Sequence, residues 1–278
     1  MAEGGLSLNM APERKSDHCV ILIGGASGIG AATARRIATA GGHVGIIDLN
    51  LESGAAVAES CGERAIAFLA DASDENDLQA AHLALQSCLP PITGLVNCAG
   101  APEAPRSIED CPVDEWTRII DSHLRTTYIA CRVFGTGMAA RGFGAIVNLA
   151  SVLSFRSGPV LGYGPAKAAI VNLTESLAVY WAQRGVRVNA VAPGWTDTPF
   201  LRPPERNHQR DLTPILRATP MGRLMRPEEI AEVIHFLLSP AARIITGVTI
   251  PCDGGVIAAS GWAPYGGPPA LANPVTAS

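Results

Sequence analysis

Short apolar runs rich in β-branched residues recur along the chain, and longer stretches of helical periodicity separate them. CVILI (19–23), HVGIID (43–48), RAIAFL (64–69), TGLVN (93–97), GAIVNLA (144–150), VRVNAVA (186–192) and GVTIP (247–251) read as strands. Residues 29–40, 51–60, 75–87, 113–140, 162–183 and 227–238 read as helices. Strands apolar along nearly their whole length are buried on both faces, so the alternation predicts an α/β fold with a parallel sheet and helices on both sides. Residues 195–226 break the rhythm with prolines and charges, and a connection of that length is expected to be a lid. No linker-like composition divides the rest. The pattern therefore predicts one domain over 18–260, with flexible tails at 1–17 and 261–278.

Composition narrows the function classes. A net charge of −4 without a Lys/Arg block argues against nucleic acid or an anionic membrane as partner. No apolar run approaches the roughly 20 residues that span a bilayer. The seven cysteines are odd in number and lack C-x-x-C pairs, and no metal-ligating spacing is present. With no signal peptide to be seen, this predicts a reduced, cytoplasmic, metal-free protein with a small-molecule substrate.

After the first strand comes GGASGIG, which places Gly24, Gly28 and Gly30 in a G-x3-G-x-G spacing. Glycines let the backbone turn tightly against a pyrophosphate while the next helix offers its N-terminal N–H groups. Such a turn alone is also an ordinary structural turn, but Asp48 ends the next strand, 18 residues beyond Gly30. A carboxylate there accepts the ribose hydroxyls of an adenosine and repels a 2′-phosphate, favouring NAD over NADP. The bland alternative is Asp48 as a helix N-cap.

Tyr163 and Lys167, in YGPAK, share one helical face at i and i+4. A neighbouring ammonium favours phenolate and would lower the tyrosine pKa from its ordinary value near ~10. Ser151, just past a strand at the carboxyl edge of the sheet, could hold the substrate oxygen. Taken alone, the Y-x3-K spacing also describes an ordinary helix turn.

Together these motifs resemble the short-chain dehydrogenase/reductase family, over about residues 20–255. GGASGIG resembles its cofactor loop, NCAG (97–100) its strand-end motif, YGPAK its Y-x3-K pair, RVNAVAPGWTDTP its P-G segment and TGVTIPCDGG its closing strand. The resemblance implies a Rossmann-like, doubly wound, seven-stranded parallel sheet and hydride transfer between nicotinamide and a secondary alcohol or ketone carbon. It implies Tyr163 as general acid/base, Lys167 at the nicotinamide ribose and Ser151 on the substrate oxygen. It sets the cofactor against Gly24, Ser27, Gly28, Ile29, Gly30, Asp48, Leu49, Asp71 and Ala72. Asn97, Ala99, Gly100, Pro193, Gly194, Thr196 and Thr198 complete that surface. Family members are commonly tetramers, so a homotetramer or homodimer is expected.

Three departures matter. Ile23 stands where the family carries a loop-tying threonine, and the interval from Ser151 to Tyr163 is one residue short, with Ser154 a poor stand-in for Ser151. His123 occupies the usual asparagine position, seven residues after Trp116. It could sustain a proton relay with its own titration near neutral pH, break that relay, or simply pack in the core.

For the substrate, Arg156, Trp195 and Arg202 are candidate contacts. The lid also carries Arg206, His208, Arg210 and Arg217, beside Glu205 and Asp211. Guanidinium groups would hold a carboxylate or phosphate, although the same charges describe a solvated loop. A small polar substrate (sugar, polyol or hydroxy acid) ranks ahead of a steroid or other apolar ketone. A different class of reading is an NAD-sensing binding protein with little turnover.

Overall fold

A computed structural model describes residues 18–202 and 211–269. The tail at 1–17, the end of the chain from 270 and the lid positions Glu205, Arg206, His208 and Arg210 lie outside the described residues.

Seven parallel strands form one sheet: β1 (Cys19–Ile23), β2 (His43–Asp48), β3 (Ala65–Leu69), β4 (Gly94–Asn97), β5 (Gly144–Leu149), β6 (Val186–Pro193) and β7 (Thr249–Cys252). Their order is β3-β2-β1-β4-β5-β6-β7. The period-two geometry of a strand explains the unbroken apolar runs. In β1, Ile21 and Ile23 enter one core layer and Val20 and Leu22 the other. The first layer packs against α3 (Glu75–Cys88), α5 (Thr126–Ala130), α6 (Thr136–Arg141) and α7 (Tyr163–Ala182), through Leu78, Leu85, Met138 and Trp181 among others. The second packs against α1 (Gly28–Thr39), α2 (Leu51–Cys61) and α9 (Pro227–Leu238), through Ala34, Val57, Ile230 and Ile234.

β1 pairs with β2 on one side and β4 on the other, so the winding reverses between β1 and β4. A crevice opens at the carboxyl ends of strands at such a reversal, which is where ligands bind in open α/β sheets.

The stretch expected as one helix over 113–140 is a continuous rod with two wide turns. α4 (Val113–Ile120) passes through a π turn at Asp121–Arg125 into α5, and a second π turn at Cys131–Gly135 leads into α6. The π geometry disturbs the regular ladder, and hydroxyls take up the carbonyls. Thr126 donates to Ser122 O (2.9 Å) and Thr127 to His123 O (2.7 Å). π turns often mark functional positions, and His123 sits in the first one. Inside the lid, the short α8 (Thr213–Ala218) was not foreseen, since six residues carry too little periodicity.

Candidate active site

A cavity of about 1130 Å3 runs along the carboxyl ends of β1, β2, β4, β5 and β6. At one end, the loop after β1 is shaped by Gly24 and Gly28, with φ of 76° and 51°. A Cβ on Gly24 would lie 2.6 Å from the Ala99 backbone, so only glycine lets this loop and the end of β4 meet. Asp48 fastens the loop: its Oδ2 accepts from Ala26 N–H and its Oδ1 from Asn50 N–H, both at 3.0 Å. Asp48 is not the cap of α2, because Asn50 fills that role by accepting from Ser53 N–H (2.9 Å).

The start of α1 carries no acidic residue and no side-chain cap, which leaves its amide end open to an anion. Ser27, Ile29, Gly30, Leu49, Asp71, Ala72, Ala99 and Gly100 line this end with Gly24, Gly28 and Asp48, and Pro193, Gly194, Thr196 and Thr198 close it. Asp48 and Asp71 are its charged side chains, and among the described residues no basic side chain joins them. The open amide end, the glycine cradle and the carboxylate at the end of β2 fit a dinucleotide. The side chain of Asn97 turns into the core, which leaves only its backbone for the expected cofactor contact. Its Nδ2 donates to Asn148 Oδ1 (2.8 Å), and Asn148 Nδ2 donates to Thr174 Oγ1 (2.9 Å), a buried polar ladder from β4 through β5 to α7.

At the other end, Ser151 follows β5 and caps the 3-10 turn Val152–Ser154. Ser154 ties this turn to α7: its Oγ accepts from Ser151 N–H (3.2 Å) and donates to Lys167 O (2.7 Å). The shortened loop still brings the Ser151 hydroxyl beside the Tyr163 phenol, where it favours the phenolate. Lys167, buried, donates from Nζ to Leu149 O (2.7 Å) and lies 5.6 Å from the centroid of the Tyr163 ring. Burial pulls the Lys167 pKa down to about 8. Tyr163 keeps part of its surface open to the cavity, yet burial raises its phenol above the ordinary value, with the Ser151 hydroxyl opposing. The expected lowering by Lys167 is not what governs this tyrosine; burial is.

His123 is 1% exposed. Its Nε2–H donates to Ala101 O (2.9 Å), which leaves Nδ1 as a buried acceptor without a partner. Burial first, and then the charge of Lys167, hold its pKa to about 3, so a titration near neutral pH is not found. The imidazole rests on Gly100, where a Cβ would fall 1.9 Å from its Cε1.

Of the substrate candidates, Trp195 lines the cavity and the two arginines do not. Arg156 donates to Phe155 O (2.7 Å) and Ile257 O (3.4 Å), and Arg202 pairs with Asp197. Arg217, on α8, is also outside the lining. The structure instead brings in Glu103, Arg118, Leu153, Val160, Phe200 and Leu201, none with a sequence motif to announce it. Among the described residues there is no metal-ligating cluster and no helix long and apolar enough to cross a membrane.

Residues 24–257 match a family model described as enoyl-(acyl carrier protein) reductase. The chain is 37% identical to cis-4-hydroxycyclohexanecarboxylate dehydrogenase of Sinomonas cyclohexanicum, over 88% of this chain and 99% of that one. It is 35% identical to galactitol 2-dehydrogenase of Rhizobium johnstonii, over 84% and 93%. Its fold is similar to that of 3-ketoacyl-(acyl-carrier-protein) reductase from Brucella melitensis complexed with NADH, with a TM-score of 0.81, 32% identity and coverage of 88% and 100%. Sheet order, crevice, the Ser151–Tyr163–Lys167 cluster and these likenesses agree: the chain belongs to the short-chain dehydrogenase/reductase family, as an oxidoreductase acting on CH–OH groups with a nicotinamide cofactor.

Proposed function

We propose that the protein interconverts a secondary alcohol and its ketone with NAD, on a small polar substrate. The observation that carries this reading is the meeting of Ser151, Tyr163 and buried Lys167 in the same cavity as Asp48 and the glycine loop. Preference for NAD follows from the charges at the adenosine end: two carboxylates, Asp48 and Asp71, would repel a 2′-phosphate, and among the described residues no cation there would receive it. The relative of similar fold, complexed with NADH, supports the same choice.

A bound nicotinamide supplies the hydride acceptor in oxidation and the donor in reduction. Ser151 holds the substrate oxygen by hydrogen bonding, and Tyr163 Oη takes the hydroxyl proton in oxidation or returns it in reduction. Lys167 keeps a cation against the Tyr163 ring and so favours the phenolate against the burial that opposes it. His123, uncharged and packed edge-on to that ring, keeps Tyr163 in place and contributes no proton of its own near neutral pH.

Leu153, Val160, Phe200 and Leu201 give the carbon skeleton an apolar wall. Phe200 lies 5.8 Å from Tyr163 between ring centroids, close to where the reacting carbon must sit. An acidic group on the substrate would meet Arg118, whose guanidinium lines the cavity without a hydrogen-bonded or ion-pair partner among the described residues. The names of the relatives, a hydroxycyclohexanecarboxylate dehydrogenase and a galactitol dehydrogenase, fit a ring or chain of this size. Tyr128 on α5 and Val179 and Tyr180 on α7 are exposed and support a homodimer or homotetramer through these helices. Free thiols at all seven cysteines support a cytoplasmic setting. Formation of NADH, followed across hydroxycyclohexanecarboxylates, hexitols and steroid alcohols, tests the reading. Turnover of the polar alcohols with NAD bears it out, and turnover confined to steroids, or to NADP, overturns it.

A further inference from the structure

Glu103 has no part in the chemistry above, yet it holds the start of the helix that carries it. Helix α7 begins at Tyr163, and its N-cap, Gly162, has no side chain to receive the amide groups of the first turn. Glu103 receives them instead. Gly162 N–H donates to both carboxylate oxygens at 3.1 Å, and Tyr163 N–H donates to Oε2 at 2.6 Å. A carboxylate is the favoured partner there, because the amide end of a helix carries partial positive charge. This cap comes from 60 residues away in sequence, out of the loop between β4 and α4.

The same segment grips the chain a second time. Trp116, on α4, donates its indole N–H to Leu161 O at 3.1 Å, immediately before the capped turn. Residues 161–163 are thereby clamped from both sides. Ser151 is tied to the same helix one turn further on, through Ser154 to the Lys167 carbonyl. The two hydroxyls that must meet on one substrate oxygen are therefore both referred to α7, and Glu103 holds the end of it that carries Tyr163. Glu103 also lines the cavity with Pro102 and Pro105, so the anchor is part of the substrate-side wall.

We propose that Glu103 is a positioning residue for Tyr163, holding the phenol in register with Ser151 and tying that register to the cavity wall at 101–105. The proposal rests on the reading of Tyr163 as acid/base. Its test uses Glu103→Ala and the isosteric Glu103→Gln in the full chain, with NAD and an alcohol that the wild type oxidises. Misplacing a reacting group lowers the chemical step while leaving the dinucleotide end of the cavity intact. Glu103→Ala is therefore expected to lose about tenfold or more in kcat, with NADH affinity within about twofold of wild type. The isotope effect with substrate deuterated at the carbinol carbon should grow, and Glu103→Gln, which keeps one acceptor oxygen, should recover part of the loss. Amide hydrogen exchange at Gly162 and Tyr163 is the readout independent of turnover. Protection there should fall in Glu103→Ala while the strands of the sheet keep theirs. Unchanged kcat and isotope effect, unchanged amide protection, or equal losses of kcat and NADH affinity would each overturn the proposal. If the wild type turns over no alcohol, the acid/base reading has failed, and the exchange result alone decides whether Glu103 holds the turn.

Discussion

The imidazole of His123 stands edge-on to the phenol ring of Tyr163, with centroids 5.0 Å apart and ring planes at 82°. An uncharged ring suits this place, between a buried lysine and a buried tyrosine. In the folded chain His123 stays neutral down to about pH 3, whereas in the unfolded chain it ionises near its ordinary value of 6.5. The unfolded state therefore binds the extra proton first as pH falls. His123 costs the fold nothing above about pH 6.5 and destabilises it increasingly from there towards pH 3, by about 2 kcal/mol at pH 5. Melting temperatures should show it. The wild type is expected to lose stability faster than His123→Asn between about pH 7 and pH 5. Parallel curves would mean that the imidazole is not buried neutral. For the same reason, His123→Asn should leave the pH–rate profile without the loss of any limb near neutrality.

Gly100 gives that imidazole its seat. A Cβ at this position would lie 1.9 Å from His123 Cε1 and 2.0 Å from Nδ1, so the ring would have to leave its place against Tyr163. Gly100→Ala is expected to cost about 1–3 kcal/mol of stability, as overpacking does, and to reduce turnover. In a His123→Ala background most of that cost should vanish, because the colliding ring is gone. Additive losses in the double variant would show that Gly100 serves something other than His123.

The strand pattern was legible because both faces of the sheet are buried, which leaves continuous apolar runs such as Cys19–Ile23. The glycine turn after β1 and the placing of Tyr163 and Lys167 on one helix were legible because backbone geometry and helical spacing leave few residue choices. What escaped depends on where side chains turn. Arg156 follows Ser151 closely in sequence but spends its donors on the carbonyls of Phe155 and Ile257. Asn97 stands beside Asn148 across β4 and β5, and this pairing draws its amide into the core and away from the cavity. Glu103 lies in a loop without periodicity, and nothing in the sequence ties it to a helix 60 residues on. The first π turn of the long helix is accompanied by hydroxyl–carbonyl bonds from Thr126 and Thr127, which a hydrophobic pattern does not record.

The Asp48 carboxylate holds Ala26 N–H of the glycine loop, and in the proposed function it also receives the ribose. Asp48→Ala is expected to raise the KM for NAD by about tenfold or more and to narrow the preference for NAD over NADP. Comparing kcat/KM for the two cofactors in wild type and variant checks this. An unchanged ratio would mean that Asp48 only braces the loop.

The central claim is that Tyr163, beside Ser151 and Lys167, moves the proton while the rest of the cavity holds the cofactor. The most direct measurement is a pair of assays on Tyr163→Phe, one for NADH binding by fluorescence and one for kcat with an alcohol the wild type oxidises. Phenylalanine keeps the ring against His123 and removes only the hydroxyl. The account predicts NADH affinity within about threefold of wild type and a kcat lowered by about a hundredfold or more. A kcat within about tenfold of wild type, with the cofactor still bound, would contradict it.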